Sequence, residues 1–496
     1  MTKPAEYLFL SYAKVDSAGR TRLPSYLIRV MTGLFPKLHV QTETEENEGF
    51  LAEVESAEDG LDDFAGLLRK YREGSLEKTA LSKLRVLQKV YDTPDAEKIR
   101  EAAFYRYEPG KLSRQAADSL YAERNQGSVS RLELFASCAY AQFLRYGLEL
   151  MPRAEYTFEA VDFGSVYHGV LELFERSLKE DGISLRTLTE EEMEQRLWEA
   201  FSVLTKEYGE TILYSSARNE RRIRQMHRLL LRSVRTMQYQ MQKGSFEPAY
   251  FEQKFRMKGV FPLVGKIDRI DIRREDDAIY LKVMDYKSGR KEFSLDDVYY
   301  GLSMQLPVYM NAAVSFLQER YPQTTIIPAA MLYYRLQKPI IEIEGTKAEE
   351  EIEAEIRKQM KPDGLLLGED CVLTMLDQGF STDSDVMRVG RKKDGSFKAA
   401  SQVISQEDLG LLLSYTQKKA EQMMQQMAEG EIAVTPLKTG NHTSCDFCEY
   451  REVCRMDERI DGYRLQELTP LTDEERKEAM ERAVYGGSEE GHRDEK

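Results

Sequence analysis

A chain of 496 residues has room for roughly two to four domains and a sizeable buried core. Hydrophobic residues make up 42% and charged residues 31%, the balance of an ordinary globular protein, and no apolar run is long enough to span a membrane. The formal net charge of −15 argues against a protein that coats nucleic acid nonspecifically, yet it leaves room for a nucleic-acid enzyme with a local basic channel.

The N-terminus, MTKPAEYLFLSYAK, lacks the charged and then apolar regions of a signal peptide, so the cytoplasm is the expected compartment. Taken in chain order, residues 1–125 open with a strand (YLFLSYA). A helix from Ser25 to Leu34 follows, then an acidic loop, ETEENEG, at 43–49, and then several helices. Residues 130–245 read as helical. SRLELFASCAYAQFLRYGLEL starts on Ser130 as N-cap, with Glu133 at the capping-box position, and carries Cys138. FGSVYHGVLELFERSLKE carries His168. ARNERRIRQMHRLLLRSVR sets Arg221, Arg224, Arg228, Arg232 and Arg235 on one helical face. Such a stripe fits a DNA backbone, and it fits equally well a solvated helix paired with the chain's many acids.

Residues 246–340 switch to strand period with FEPAYFEQKF, FPLVGKIDRIDIR and AIYLKVMDYKSG. A helix, SLDDVYYGLSMQLPVYMNAAVSFLQER, and a strand, TTIIPAAMLYYRL, complete the zone. The remainder is mixed: the loop GRKKDGSFKAAS, a helix over 406–429, a cysteine cluster, and a charged end expected to lack structure after about Asp473. There is no internal repeat. The phosphate-loop pattern is absent, since PGKLS and VGKID lack its flanks.

The strand LKVMDYKSGR poses a chemical question. Asp285 and Lys287 share the face of Leu281 and Val283, and unpaired buried charges cost several kcal/mol. The neighbouring strand VGKIDRIDI carries Asp268, FEQKF supplies Glu252, and a helix supplies His168. Two carboxylates, a lysine and an imidazole suit Mg²⁺ or Mn²⁺, with Lys287 free to orient an attacking water. Of the five cysteines, Cys445, Cys448 and Cys454 form C-x2-C-x5-C, while Cys138 and Cys371 stand apart. An odd count disfavours a disulfide framework. The spacing alone leaves zinc, with His442 as a fourth ligand, and iron–sulfur at even odds.

In combination these motifs resemble a known family. GKIDRID followed by MDYKSG, with GSVYHG upstream and QLPVY downstream, resembles the RecB-like branch of the PD-(D/E)xK nucleases. The resemblance implies an α+β fold: a nuclease core with a mixed central β-sheet flanked by helices. It implies His168, Asp268, Asp285 and the Tyr286 carbonyl as metal ligands, with Asp268, Asp285, Lys287, Gln305 and Tyr309 as the catalytic set. One cysteine before the core and three after it is the arrangement of iron–sulfur nucleases. Cys138, Cys445, Cys448 and Cys454 would then hold a [4Fe–4S] cluster, and Cys371 would be a buried or loop thiol.

The opening segment, the loop RKKDGSFKAAS and CDFCEYREVCRMD are similar to the C-terminal part of the AddB family, the deoxyribonuclease component of AddAB helicase–nucleases. This implies a helical helicase-like remnant over 1–125, a nuclease domain over 126–470 and a tail over 471–496. The implied function is Mg²⁺-dependent 5′-to-3′ exonucleolytic cleavage of single-stranded DNA in double-strand-break repair by homologous recombination. An AddA-type partner would supply ATP hydrolysis, and no membrane is involved. Two alternatives stand beside it: a stand-alone iron–sulfur exonuclease of the CRISPR-adaptation type, and a non-catalytic DNA-binding scaffold.

Overall fold

The computed structural model describes residues 10–14, 20–38, 57–121, 126–153, 160–207, 216–289, 291–336, 339 and 348–486. The chain divides into two compact units, Met1–Tyr105 and Arg106–Lys496. The division falls twenty residues before the expected boundary at 125. Backbone bonds explain why: Tyr107 N donates to Asp461 O and Leu112 N to Gly430 O, which stitch this segment to the C-terminal part of the chain.

The first unit is helical. α1 (Tyr26–Leu34) starts on Ser25, whose hydroxyl accepts from Leu27 N. α2 (Ala57–Arg72), α3 (Lys78–Val90) and α4 (Pro94–Ala103) bury a small core of Phe64, Leu68, Leu84, Leu87, Tyr91 and Ala96. The expected first strand lies partly outside the described residues, and 10–14 forms no strand; the acidic run 43–49 lies outside them altogether.

In the second unit, α5 (Val129–Ser137) is capped by Ser128, whose hydroxyl accepts from Arg131 N. The expected capping box on Ser130 and Glu133 does not form; Glu133 accepts instead from Met304 N, far along the chain. The helix stops at Cys138, whose extended backbone (φ −169°, ψ 117°) separates it from a short turn of helix over Ala139–Gln142. α6 (Ala160–Glu180), α7 (Glu190–Glu207) and α8 (Ala217–Lys243) follow.

A six-stranded mixed sheet then forms in the order β1–β2–β3–β4–β5–β6. β1 (Glu247–Met257), β2 (Leu263–Arg274) and β3 (Ala278–Lys287) run antiparallel in succession. Two helices, α9 (Leu295–Tyr300) and α10 (Gln305–Arg320), lead to β4 (Thr325–Arg335), which lies parallel to β3. A single helix was expected here. Gly301 divides it by adopting φ +84°, a left-handed turn open to glycine at little cost. β5 (Asp363–Leu367) and β6 (Val403–Ile404) complete the sheet.

β3 and β4 are buried along most of their length because both faces of the sheet are covered. α10 packs on β1, β3 and β4, and α11 (Gln406–Ala428) packs on α10. On the other face, α6 and α8 contribute Glu175, Met237 and Met241 around Arg269. The described residues after 470 are structured, and 487–496 lie outside them. α12 (Asp473–Tyr485) opens with a complete capping box between Thr472 and Glu475, buries Met480 and packs on α11. Among the described residues no helix is long and apolar enough to cross a membrane.

Candidate active site

The β2–β3 ladder ends at the pair Arg269↔Met284, one step before Asp268 and Asp285 would face each other. Beyond that pair the side chains take over the pairing. Tyr286 N donates to Asp268 Oδ2 at 2.7 Å. Asp285 Oδ1 accepts from Gln305 Nε2 at 2.7 Å, and Lys287 Nζ lies 2.5 Å from Asp285 Oδ2 while donating to Gln305 Oε1 at 2.6 Å. Gln305 Nε2 also reaches Tyr309 Oη at 3.0 Å. Gln305 and Tyr309 sit one turn apart at the start of α10, so one helix face carries both, and Gln305 meets the end of β3.

His168, on α6, brings Nδ1 to 3.3 Å from Asp268 Oδ2 and 4.0 Å from Glu252 Oε1. The ligand atoms of His168, Glu252 and Asp268 all lie within 4.8 Å of one another. Glu252 was absent from the ligand set expected from the sequence. It stands in β1 between the pairs Phe251↔Arg269 and Gln253↔Ile267, and so opposite Asp268. Its backbone is left-handed, with φ +49°, a strained geometry for a non-glycine residue that redirects the side chain.

The electrostatics call for a cation. Asp285 is 1% exposed. Burial, then the charge of Asp268, push its pKa up to about 7 against the pull of Lys287. Burial likewise raises Glu252, with Asp268 adding to the effect and Lys266 opposing it. For His168 burial disfavours the proton, but the bond to Asp268 and the surrounding carboxylates outweigh it and its pKa rises. Glu252 Oε2 is held by Lys266 and Asp285 Oδ2 by Lys287, and neither buried oxygen shows a further partner. Converging carboxylate oxygens with unsatisfied lone pairs, beside one imidazole, fit Mg²⁺ or Mn²⁺.

The opposite face of the same strands holds an ion network that the sequence reading missed. Arg269 donates to Asp271 Oδ1 at 2.6 Å and Oδ2 at 3.1 Å, and to Glu175 Oε1 at 2.5 Å. Lys282 Nζ lies 2.8 Å from Asp271 Oδ2, and Tyr286 Oη donates to Glu175 Oε1 at 3.0 Å. Tyr286 is thus held at both ends: by Asp268 through its amide and by Glu175 through its phenol. The sequence signal was the alternation of β2, where Arg269 and Asp271 share a face that strand period alone would make apolar.

The four cysteines Cys138, Cys445, Cys448 and Cys454 line one cleft of about 670 Å³. Burial, and then the neighbouring thiols Cys138, Cys448 and Cys454, push Cys445 up to about 11. Burial dominates the upward shift of Cys138 as well. Thiols gathered this way fit a soft metal or a cluster, whose positive charge would reverse those shifts. Ser444 Oγ donates to Ser137 O at 3.2 Å and Tyr450 Oη to Leu150 O at 2.8 Å, closing the two walls. His442 is not on the cleft wall: its side chain is 86% exposed and meets Asp446 at 3.3 Å. Cys371 lies elsewhere, exposed in the first turn of the helix Asp370–Leu376 rather than buried or in a loop.

Of the arginine stripe on α8, three members are ion-paired. Arg224 meets Glu220 at 3.9 Å, Arg232 meets Glu353 at 3.3 Å, and Arg235 meets Glu190. Arg221 and Arg228 are exposed.

Curated relatives named as ATP-dependent helicase/deoxyribonuclease subunits match nearly the whole chain. The protein from Lachnoclostridium phytofermentans is 34% identical over 488 residues, covering 96% of this chain and 42% of that relative. Those from Clostridium botulinum and Clostridium kluyveri are 32% and 30% identical, covering 98% and 95% of this chain and 44% and 42% of theirs. The chain therefore spans about two fifths of the length of these relatives. Residues 126–455, which hold His168, Glu252, Asp268, Asp285, Lys287 and all four cleft cysteines, match the model of the PD-(D/E)XK nuclease superfamily, and the chain belongs to that superfamily.

Proposed function

We propose that this chain is the nuclease-bearing part of a helicase–nuclease complex and hydrolyses DNA phosphodiester bonds. The observation that carries the reading is the junction of Asp268, Asp285 and Lys287 at the open end of β2 and β3, with His168 and Glu252 converging on the same carboxylate. His168, Glu252, Asp268, Asp285 and the Tyr286 carbonyl would hold Mg²⁺ or Mn²⁺. When bound, such an ion supplies Lewis acidity and a more acidic water.

The chain's own residues do the rest. Tyr286 N holds the Asp268 carboxylate and Gln305 holds that of Asp285, and Asp268 converges with His168 and Glu252. Lys287, steadied by Gln305, sets a positive charge beside Asp285, where it can orient the attacking water and stabilise the pentavalent transition state. Tyr309 braces Gln305 from the next turn.

The finer reading follows the resemblance of the motifs. It is an exonuclease working 5′ to 3′ on single strands, with an AddA-type ATPase as partner, in cytoplasmic repair of double-strand breaks by homologous recombination. A [4Fe–4S] cluster on Cys138, Cys445, Cys448 and Cys454 would staple the domain.

The test is cleavage of end-labelled single-stranded DNA with and without Mg²⁺. Asp285→Ala and Lys287→Ala should each lower the rate at least about 10³-fold, or about 4 kcal/mol of barrier. DNA binding should survive, since phosphate contacts elsewhere carry it. Release of mononucleotides from the 5′ end gives the polarity. Wild-type cleavage by Asp285→Ala would sink the site.

A further inference from the structure

β3 and β4 leave the sheet side by side. Lys287 pairs with Arg335 in the parallel ladder, as Asp285 pairs with Tyr333. Cross-strand partners share a face, so Arg335 stands beside the lysine of the candidate active site. Two ammonium groups lie over the Tyr333 ring, Lys287 Nζ at 5.3 Å and Lys291 Nζ at 5.5 Å from its centroid. Lys291 is held by Glu133 of α5 at 3.4 Å, well beyond the length of a tight charge-assisted bond.

Arg335 and a second arginine, Arg388, converge on one carboxylate. Arg335 reaches Asp363 Oδ2 at 2.8 Å and Arg388 reaches Oδ1 at 3.2 Å. Asp363 is 1% exposed, and it also accepts from Phe293 N at 2.8 Å and Gln402 Nε2 at 2.6 Å. One buried carboxylate therefore anchors both guanidinium groups and the loop that carries Lys291. Its single charge cannot neutralise two arginines. Glu292, which meets Arg335 at 3.4 Å, has a side chain 77% exposed and contributes little. Arg335 Nε is buried and has no hydrogen-bond partner in the structure. In a chain of net charge −15, this rim reverses the sign locally.

We propose that Lys291, Arg335 and Arg388 form a phosphate subsite that takes the phosphate next to the one cleaved. The identity of the ligand as a nucleic-acid strand rests on the function proposed above. Asp363 fixes the arginine forks in advance, and guanidinium forks suit phosphate oxygens. Lys291 exchanges its long contact with Glu133 for a phosphate oxygen.

The test uses the full chain, a fluorescent single-stranded oligodeoxynucleotide, and Ca²⁺ in place of Mg²⁺, with affinity measured from about 50 to about 200 mM salt. Lys291→Gln and Arg388→Gln should each weaken binding about tenfold and reduce the slope of log K against log salt by about 0.7, the loss of one single-strand phosphate contact. Arg335→Lys keeps the charge but not the fork, and should weaken binding with the slope retained. Lys477→Gln, outside the subsite, should leave the slope unchanged. Slopes unaltered in Lys291→Gln and Arg388→Gln, or altered equally in Lys477→Gln, would overturn the subsite. Binding in Ca²⁺ does not depend on cleavage. A chain that fails to cut DNA with Mg²⁺ therefore overturns the proposed reaction, while the slopes still decide the subsite.

Discussion

Asp268, Asp285 and Lys287 could be picked out in the sequence because their spacing on strands is short-range and periodic. Glu252 could not be given its role that way. Its part depends on a left-handed backbone inside β1, and no residue type announces that geometry when it is not glycine or asparagine. Glu252→Gln should raise the Mn²⁺ concentration needed for half-maximal cleavage about tenfold or more, with the fold intact by circular dichroism; an unchanged metal requirement would remove it from the site. The network behind the site makes a different forecast. Burial alone would raise the Asp271 pKa, but Arg269 and Lys282 outweigh it and bring it from 3.8 down to about 2. A depressed carboxylate stabilises the fold fully above its unfolded value and loses that contribution as pH falls through the folded one. Asp271→Asn should therefore cost about 3–5 kcal/mol near neutrality, by leaving buried cations underpaired. In urea unfolding, the gap between Asp271→Asn and the unsubstituted protein should narrow between about pH 4 and 2 by about 2 kcal/mol, the worth of that shift. A gap undiminished at pH 2 would contradict this.

At the scale of elements, the strands and most helices were legible because burial imposes period two or 3.6 on apolar residues. The breaks were harder. SLDDVYYGLSMQLPVYM reads as one helix until Gly301 takes φ +84°, and the break lets α10 start at Gln305, aimed at Asp285. A Cβ at Gly301 would meet Ala136 Cβ at 3.3 Å and Met423 Sδ at 3.3 Å, besides straining the turn. Gly301→Ala should lower stability by about 1–3 kcal/mol, read as a drop in Tm, and should lower cleavage more than binding. An unchanged Tm would mean the turn relaxes freely. The same lesson holds at 138 and 472. Cys138 ends a helix that propensity would continue, and Thr472 starts one where charge suggested disorder. Local caps and tertiary contacts decide both, and neither shows in composition.

For the whole molecule, the cysteine spacing was legible as a metal motif, but only the fold shows Cys138 lining the same cleft as the other three. Joining positions so far apart closes a loop whose entropy scale is about 5 kcal/mol. A four-thiolate centre would thus act on the domain as a staple. Anaerobically purified protein should be brown and carry about four irons per chain. Cys448→Ala should lose the iron and become protease-sensitive near residues 130–160 and 440–460, while His442→Ala should keep it. Protein holding one zinc that depends on His442 and not on Cys138 would overturn the assignment.

The two walls of that cleft are also separated in time. Ser137 and Ser444, which hydrogen-bond across it, lie 307 residues apart. At about 5–20 residues per second, the ribosome needs about 15–60 s to bring the second wall out after the first. Through that interval Phe143 and Leu144 lack Tyr450, a member of the same buried cluster, and Cys138 lacks its three companions. The nascent chain carries a sticky, oxidisable half-site throughout, and a centre held by all four thiols would have to wait for translation of the segment from Cys445 to Cys454 rather than for folding of the sheet.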